Sequence, residues 1–236
     1  MRSEAVSGGV PGQMRMLLEF EKGERVRHLG LLDLQRTMQR ALRRSGLPVA
    51  YSNGFNPHIV MAFASALSSG IPGEAELLDV LLSEDTTAEE CLSALKRALP
   101  PDLQPVRVRL VDNGFPKCGK LLERASYRFH VSAETAETVI AAVPGFLAQK
   151  EIFAVRKSKT KETLVNIRPM IHRLSGEMQS DGTGVLLATV SFTDMVQKMS
   201  WVIRRKVLLL LLNIILLKLI RIKLRLKKCL LRKRCR

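Results

Sequence analysis

The sequence predicts an α+β fold made of two ferredoxin-like units, each a split β-α-β arrangement with an antiparallel sheet, followed by an atypical basic tail. Residues 14–112 alternate between strand and helix periodicity in the order β-α-β-β-α-β. Residues 121–194 repeat this rhythm without shared sequence. Residues 195–236 match neither unit, because they hold 14 Lys and Arg and no acidic residue.

The net charge of +16 belongs to this tail. The rest of the chain has 24 basic and 22 acidic residues, so its charge is nearly balanced. Charge alone therefore does not identify the two units as nucleic-acid-binding.

The first unit has clear element boundaries. One helix, at 32–45, ends before Gly46 and Pro48; a second starts with a capping box at 86–89 and stops near 99, before a Pro-Pro pair. The predicted strands are 15–21, 59–63, 75–82 and 106–111. This order places both helices on one sheet face and leaves the other face open to a second layer, a partner or RNA.

The second unit follows a predicted linker at residues 113–120, and residues 1–13 are predicted to be a disordered leader. Its predicted elements are a strand at 126–131, a helix at 134–149, paired strands at 152–155 and 163–167, a short helical turn at 170–174 and a strand at 185–192.

The tail would supply the last helix and strand of this unit, but its composition is abnormal for a core element. The apolar run at 207–217 is shorter than the roughly 20 residues of a membrane span. Our hypothesis is a reading-frame shift near Asp194. The alternative is a native basic helix that contacts a membrane surface or RNA, and either tail would attract anionic surfaces.

Four cysteines, at positions 91, 118, 229 and 235, form no C-x-x-C pair, zinc spacing or iron–sulfur motif. The first 13 residues lack the apolar run of a secretory signal. The sequence therefore predicts a reduced cytoplasmic protein without a metal or cofactor.

One loop is unusually rich in groups that could meet a ligand. It comprises Tyr51, Ser52, Asn53, Gly54, Phe55, Asn56, Pro57 and His58. Its polar groups can hydrogen-bond, its two aromatics can stack on bases, and its glycine should adopt a positive φ. The alternative is that Tyr51 and Phe55 are core residues that anchor the loop.

The helix before this loop is amphipathic. Its basic face carries Arg36, Arg40, Arg43 and Arg44, opposite an apolar face. The four arginines are either a solvated surface or a surface that follows phosphates, and with the loop they form the predicted recognition surface.

No complete catalytic constellation is present, so a non-enzymatic role is favoured. The catalytic candidates are His58, Asp33 and Glu76, as general bases or ligands. Each also has a structural interpretation. His58 could brace its loop, Asp33 could flank the helix N-terminus, and Glu76 with Asp79 could face water from the third strand.

Several motifs together resemble the bacterial radical SAM-linked protein family, a domain of unknown function. They are the helix and its exit (RALRRSGLPVAYS, 40–52), the run GFNPH at 54–58, the small residues of 63–70, the strand motif ELLD at 76–79 and the weaker NIRP at 166–169. The resemblance covers about residues 14–193. One departure is that the family's Ser-His-Leu-Asp aligns with Gly30-Leu-Leu-Asp33, so its histidine is absent.

Family members lie beside, or are fused to, cobalamin-binding radical SAM proteins, which implies an accessory role. Three functions follow as expectations. The chain binds RNA or presents substrate to a radical SAM modification system, or it docks the radical SAM partner as a protein-interaction module, or it is a small enzyme centred on His58.

Overall fold

A computed structural model of the protein describes residues 14–65, 67, 69–157 and 162–191. The predicted leader, 1–13, and the tail, 195–236, lie outside the described residues. The described chain divides into two compact units, one ending at Leu122 and the other beginning at Glu123. The α+β fold class is confirmed, with antiparallel sheets in both units.

The first unit has the predicted β-α-β-β-α-β order. Its elements are β1 (Met14–Lys22), α1 (Leu31–Ser45), β2 (Met61–Phe63), β3 (Gly73–Leu81), α2 (Ala88–Ala98), β4 (Leu103–Asp112) and the short α3 (Cys118–Leu121). The sheet order β2-β3-β1-β4 places the first and third strands, β1 and β3, at its centre, as in a ferredoxin-like fold. A single-turn 3-10 helix, Glu24–Val26, joins β1 to α1.

The core of this unit lies between one face of the sheet and the two helices. Alternate residues of β1, including Met16 and Leu18, are fully buried against the apolar faces of α1 and α2. A capping box starts α2 one residue later than the predicted 86–89. Thr87 Oγ1 accepts from Glu90 N and the Glu90 carboxylate accepts from Thr87 N. The packing of both apolar helix faces against β1 holds the two helices on the same side of the sheet.

The opposite sheet face is not fully open, contrary to the sequence prediction. Residues 113–121, most of them in the predicted linker, contact that face at Arg15 of β1 and Asp79 of β3. Cys118 is buried there and its backbone N–H points at the Asp79 carboxylate of β3, at 3.4 Å. The reason is a buried ion pair between Arg15 and Asp79 that this segment covers.

The second unit contains β5 (Arg124–Val131), α4 (Ala133–Leu147), β6 (Phe153–Lys157), β7 (Glu162–Asn166), β8 (Ile171–Met178) and β9 (Gly184–Ser191). Strands β5, β9 and β8 form one sheet, which α4 covers, and β6 pairs with β7 as a separate hairpin. The predicted helical turn at 170–174 is wrong. Met170 ends a 3-10 turn at Arg168–Met170, and residues 171–174 begin β8.

Candidate functional site

The loop at 51–58 lies between α1 and β2 in the chain, and the segment that leads into it pairs with the end of β3. Helix α1 ends at Gly46, whose φ of 73° reverses the chain, and isolated bridges then pair Val49 with Leu82 and Tyr51 with Ile59. Ser52 N donates to His58 O at 2.8 Å and closes the loop. The sheet therefore holds both ends of the loop.

His58 braces the loop from inside. Ser52 Oγ accepts a hydrogen bond from His58 N at 3.1 Å and lies 3.0 Å from its Nδ1. Asn56 O is 3.4 Å from the same ring nitrogen. The predicted positive φ of Gly54 is confirmed, at 127°, and this conformation lets the chain turn at the tip.

The two aromatic side chains of the loop face solvent. Phe55 is fully exposed, with a relative accessibility of 112%, and Tyr51 is 47% exposed. The alternative that both anchor the loop in the core is therefore wrong. The backbone bridges and the Ser52–His58 contacts hold the loop instead, which leaves the rings uncovered.

The four arginines of α1 are all exposed, but they are engaged to different extents. Arg36 lies 3.5 Å from Asp33, and Arg44 donates to Ala98 O at 2.8 Å, at the end of α2. Arg40 contacts only the neutral Thr37 hydroxyl, at 3.2 Å. Arg43 has no hydrogen-bond or ion-pair partner within the described chain. Arg40 and Arg43 are therefore the two cations available to a ligand.

The structure does not bring the three catalytic candidates together. Leu81 N donates to Val60 O, and Glu76 lies five residues from Leu81, about 17 Å along β3 at about 3.3 Å per residue. His58 lies beyond Val60, farther still from Glu76, because the paired segments are antiparallel. Asp33 occupies the first turn of α1, at the end distant from the loop. A shared acid–base site requires contacts near 3 Å, so this hypothesis is wrong for His58 with Glu76.

Glu76 instead lies near a buried cation that the sequence analysis missed. Lys22, at the end of β1, is fully buried and its Nζ donates to Arg27 O and Leu29 O at 2.9 and 3.0 Å. Burial lowers the pKa of Lys22, and the Glu76 charge partly opposes this effect. The lysine secures the connection between β1 and α1.

The lowered pKa of Lys22 predicts a pH-dependent stability. The unfolded chain binds this proton more tightly than the folded chain, so stability should rise with pH until the ordinary pKa of 10.5 is reached. We expect wild type to gain stability relative to Lys22→Met as pH increases from about 8 toward 10.5. Urea unfolding across this range would test it, and a constant difference would contradict it.

Asp79 and Arg15 form a second site that the sequence analysis did not identify. Asp79 was predicted at a polar strand position, but it is 4% exposed and accepts hydrogen bonds from the fully buried Arg15, including Nε to Oδ1 at 2.9 Å. Arg15 also donates to the carbonyls of Asn113 and Phe115. The only sequence signal of this buried pair was that Arg15 begins a strand in which apolar residues alternate.

The Cys118 thiol of this segment is shifted toward its un-ionised form. Burial, followed by the nearby Asp79 charge, raises the pKa of Cys118 to about 11, and the Arg15 charge offsets only part of the shift. Across the described ranges, no group of three or more His, Cys, Asp or Glu side chains could hold a metal ion. In the same ranges no helix is both long and apolar enough to cross a membrane.

The comparison with known proteins identifies a family. A family model described as an uncharacterized protein conserved in bacteria (DUF2344) matches residues 15–205, which include the described parts of both units. A search of curated proteins finds no match. The match agrees with the coarser part of the resemblance, a bacterial domain of uncharacterised function. The chain therefore belongs to the DUF2344 family of uncharacterized bacterial proteins.

Proposed function

We propose that the first unit recognises single-stranded RNA through the loop at 51–58 and the neighbouring arginines of α1. The observation that carries this proposal is the full exposure of Phe55 at the loop tip. A solvent-exposed ring on a braced loop costs hydrophobic free energy, which stacking on an unpaired base would recover. Tyr51, half exposed at the loop base, offers a second ring.

Polar and charged groups around the rings suit the same ligand. Asn53 and Asn56 are exposed and can donate to and accept from base edges. Arg40 and Arg43, on the helix that leads into the loop, can bind phosphates because no carboxylate within the described ranges pairs with them. The loop would read bases while the helix provides electrostatic attraction.

We further propose that this RNA is the substrate of a radical SAM modification system for which the chain is an accessory. The resemblance of residues 40–58 to radical SAM-linked proteins supports this role. The protein would be cytoplasmic, where both RNA and reduced thiols are found. The chain would present the RNA, and the partner would carry out the chemistry.

Phe55→Ala and Arg43→Glu in the full-length protein test the RNA proposal. Losing one stacked base costs about 1–3 kcal/mol, so Phe55→Ala should raise the Kd for a single-stranded oligoribonucleotide about 5- to 150-fold. Arg43→Glu should reduce the steepness of log K against log salt by at least about 0.7, the value for one phosphate contact on a single strand. Fluorescence anisotropy at several salt concentrations measures both quantities.

Matched controls are Phe153→Ala and Arg97→Glu, which alter an exposed ring on β6 and an exposed arginine on α2. The basic tail is the same in every variant, so its contribution cancels. Equal affinities for Phe55→Ala and Phe153→Ala would refute the stacking role. A charge effect of the same size in Arg97→Glu would refute the arginine surface.

A protein-docking role is the second candidate, favoured by two adjacent apolar side chains at the start of α1. Leu32 is 67% exposed and Leu31 is 37% exposed. This patch is at the end of α1 opposite the loop, so Leu32→Glu should weaken co-purification of a radical SAM partner without altering RNA affinity. Unchanged co-purification would exclude this patch as the docking surface.

A further inference from the structure

The outer face of the second unit's sheet has a composition distinct from its core face. On β5 the residues Tyr127, Phe129 and Val131 pack toward the core beneath α4. Strand alternation directs the intervening residues to the opposite face, where they are exposed. These are Arg124, Ser126, Arg128 and His130. The aromatics of this strand are therefore on the covered side and the cations on the open side.

The strand register extends this polar face across all three strands. Thr189 of β9 lies between Ser126 of β5 and Arg173 of β8, and Ser126 Oγ is 3.0 Å from Thr189 Oγ1. One pair farther along, Arg124 is opposite Ser191, whose hydroxyl lies 2.7 Å from His172 Nε2. These hydroxyls lie at one end of the face. At its other end β9 contributes the half-buried Leu187 and Val185, opposite Arg128 and His130.

The charge of this face is strongly positive. It holds three arginines and two histidines, against Glu177 as its one carboxylate among the described strand residues. Neither Arg124 nor Arg173 has a hydrogen-bond or ion-pair partner in the described part of the chain. Arg124 and Arg128 are four residues apart on β5, about 13 Å at about 3.3 Å per residue. An extended anion could contact both of them.

We propose that this face binds the sugar–phosphate backbone of single-stranded RNA without reading its bases. The arginines supply phosphate contacts. The hydroxyls of Ser126, Thr189 and Ser191 can form hydrogen bonds with phosphate or 2′-hydroxyl oxygens. Base stacking is excluded because Tyr127 and Phe129 point inward. A lipid surface is a poorer fit because, among the described residues of this face, no large apolar side chain is exposed for insertion. This proposal rests on the proposed function in one respect, which is that the bound polyanion is RNA.

The test is RNA binding by full-length Arg124→Glu/Arg173→Glu. Each lost phosphate contact lowers the salt slope by about 0.7 on a single strand, so the double variant should lower it by at least about 1.4. The loss should be equal for oligo(A), oligo(C) and oligo(U). An unchanged slope, or a loss confined to one sequence, would overturn the proposal.

Glu177→Gln keeps the proposal testable if the double variant fails to fold. Removing the carboxylate of this face should tighten RNA binding and steepen the salt slope. Glu137→Gln makes the same charge change on the exposed side of α4, away from this face, and should have a smaller effect. Equal effects of the two variants would refute a local surface and indicate only a net-charge response.

The outcomes separate this inference from the proposed function. If Phe55→Ala weakens binding and the sheet variants do not, the loop proposal stands and the sheet proposal falls. The reverse result supports the sheet face and refutes the loop. If anionic vesicles, and not RNA, bind in a manner sensitive to Arg124→Glu/Arg173→Glu, the face is a membrane surface and the proposal is wrong.

Discussion

Arg15→Met should lower the free energy of unfolding of the first unit by about 3–5 kcal/mol. The substitution leaves the Asp79 carboxylate buried without its counter-charge, and an unpaired buried ion is costly. It also removes the donor to the Asn113 and Phe115 carbonyls, which holds the covering segment in place. Urea unfolding combined with hydrogen exchange of the β1 amides measures the effect on this unit.

Arg107→Met is the matched control. Arg107 pairs with Glu19 on the same sheet, at 2.8 Å, but its side chain is 55% exposed. Its removal should cost less than about 1 kcal/mol, because water solvates the remaining carboxylate. The double substitution Arg15→Met/Asp79→Leu should recover much of the lost stability. Similar small costs for Arg15→Met and Arg107→Met would contradict the buried-pair interpretation.

Cys118 should resist alkylation in the folded protein by more than about 100-fold relative to the unfolded chain at pH 8. A pKa of about 11 leaves roughly one thiol in a thousand ionised at that pH, whereas an ordinary cysteine is about one-quarter ionised. Packing of its own segment, residues 113–121, against the sheet buries the side chain and slows the reaction further. Timed iodoacetamide labelling with peptide mass spectrometry measures the rate at each cysteine separately.

The same labelling reports on the Arg15 contacts. Because Arg15 anchors the backbone beside Cys118, Arg15→Met should accelerate labelling of Cys118 more than labelling of Cys91, which is buried between α2 and the sheet. In wild type the rate should rise about tenfold per pH unit below pH 11, since only the thiolate reacts. Labelling of native Cys118 at the unfolded rate would show that residues 113–121 do not pack stably against the sheet.

Local periodicity was sufficient to predict most of the fold. Strict alternation in β1 and β5, the capping box of α2 and the Gly46 stop of α1 each produce a signal within a few residues. Strand β8 produces no such signal, because a register shift at Ile171–Arg173 breaks its alternation. Its pattern is also interrupted by Gly176, where an added Cβ would meet Ile140 at 2.8 Å. The predicted helical turn was wrong for this reason.

The loop at 51–58 was recognisable from composition alone, but its accessibility was not. Phe55 could have been a core anchor by residue type, and only the backbone bridges around it leave the ring exposed. The same distinction separates the arginines of α1. The sequence placed them on one face, but the contact of Arg44 with Ala98 O depends on the packing of α1 against α2.

The sequence by itself determined the order of elements in the first unit, the amphipathic faces and the chemistry of the exposed loop. Tertiary structure decided which charges are buried, which candidates share a site and which side of β5 carries its aromatics. Arg15 and Asp79 are 64 residues apart and meet only because β1 and β3 pair. His58 and Glu76 are 18 residues apart in the chain, yet the antiparallel run along β3 separates them. Local patterns reflect backbone periodicity, whereas contacts between distant residues depend on strand register, which no short segment encodes.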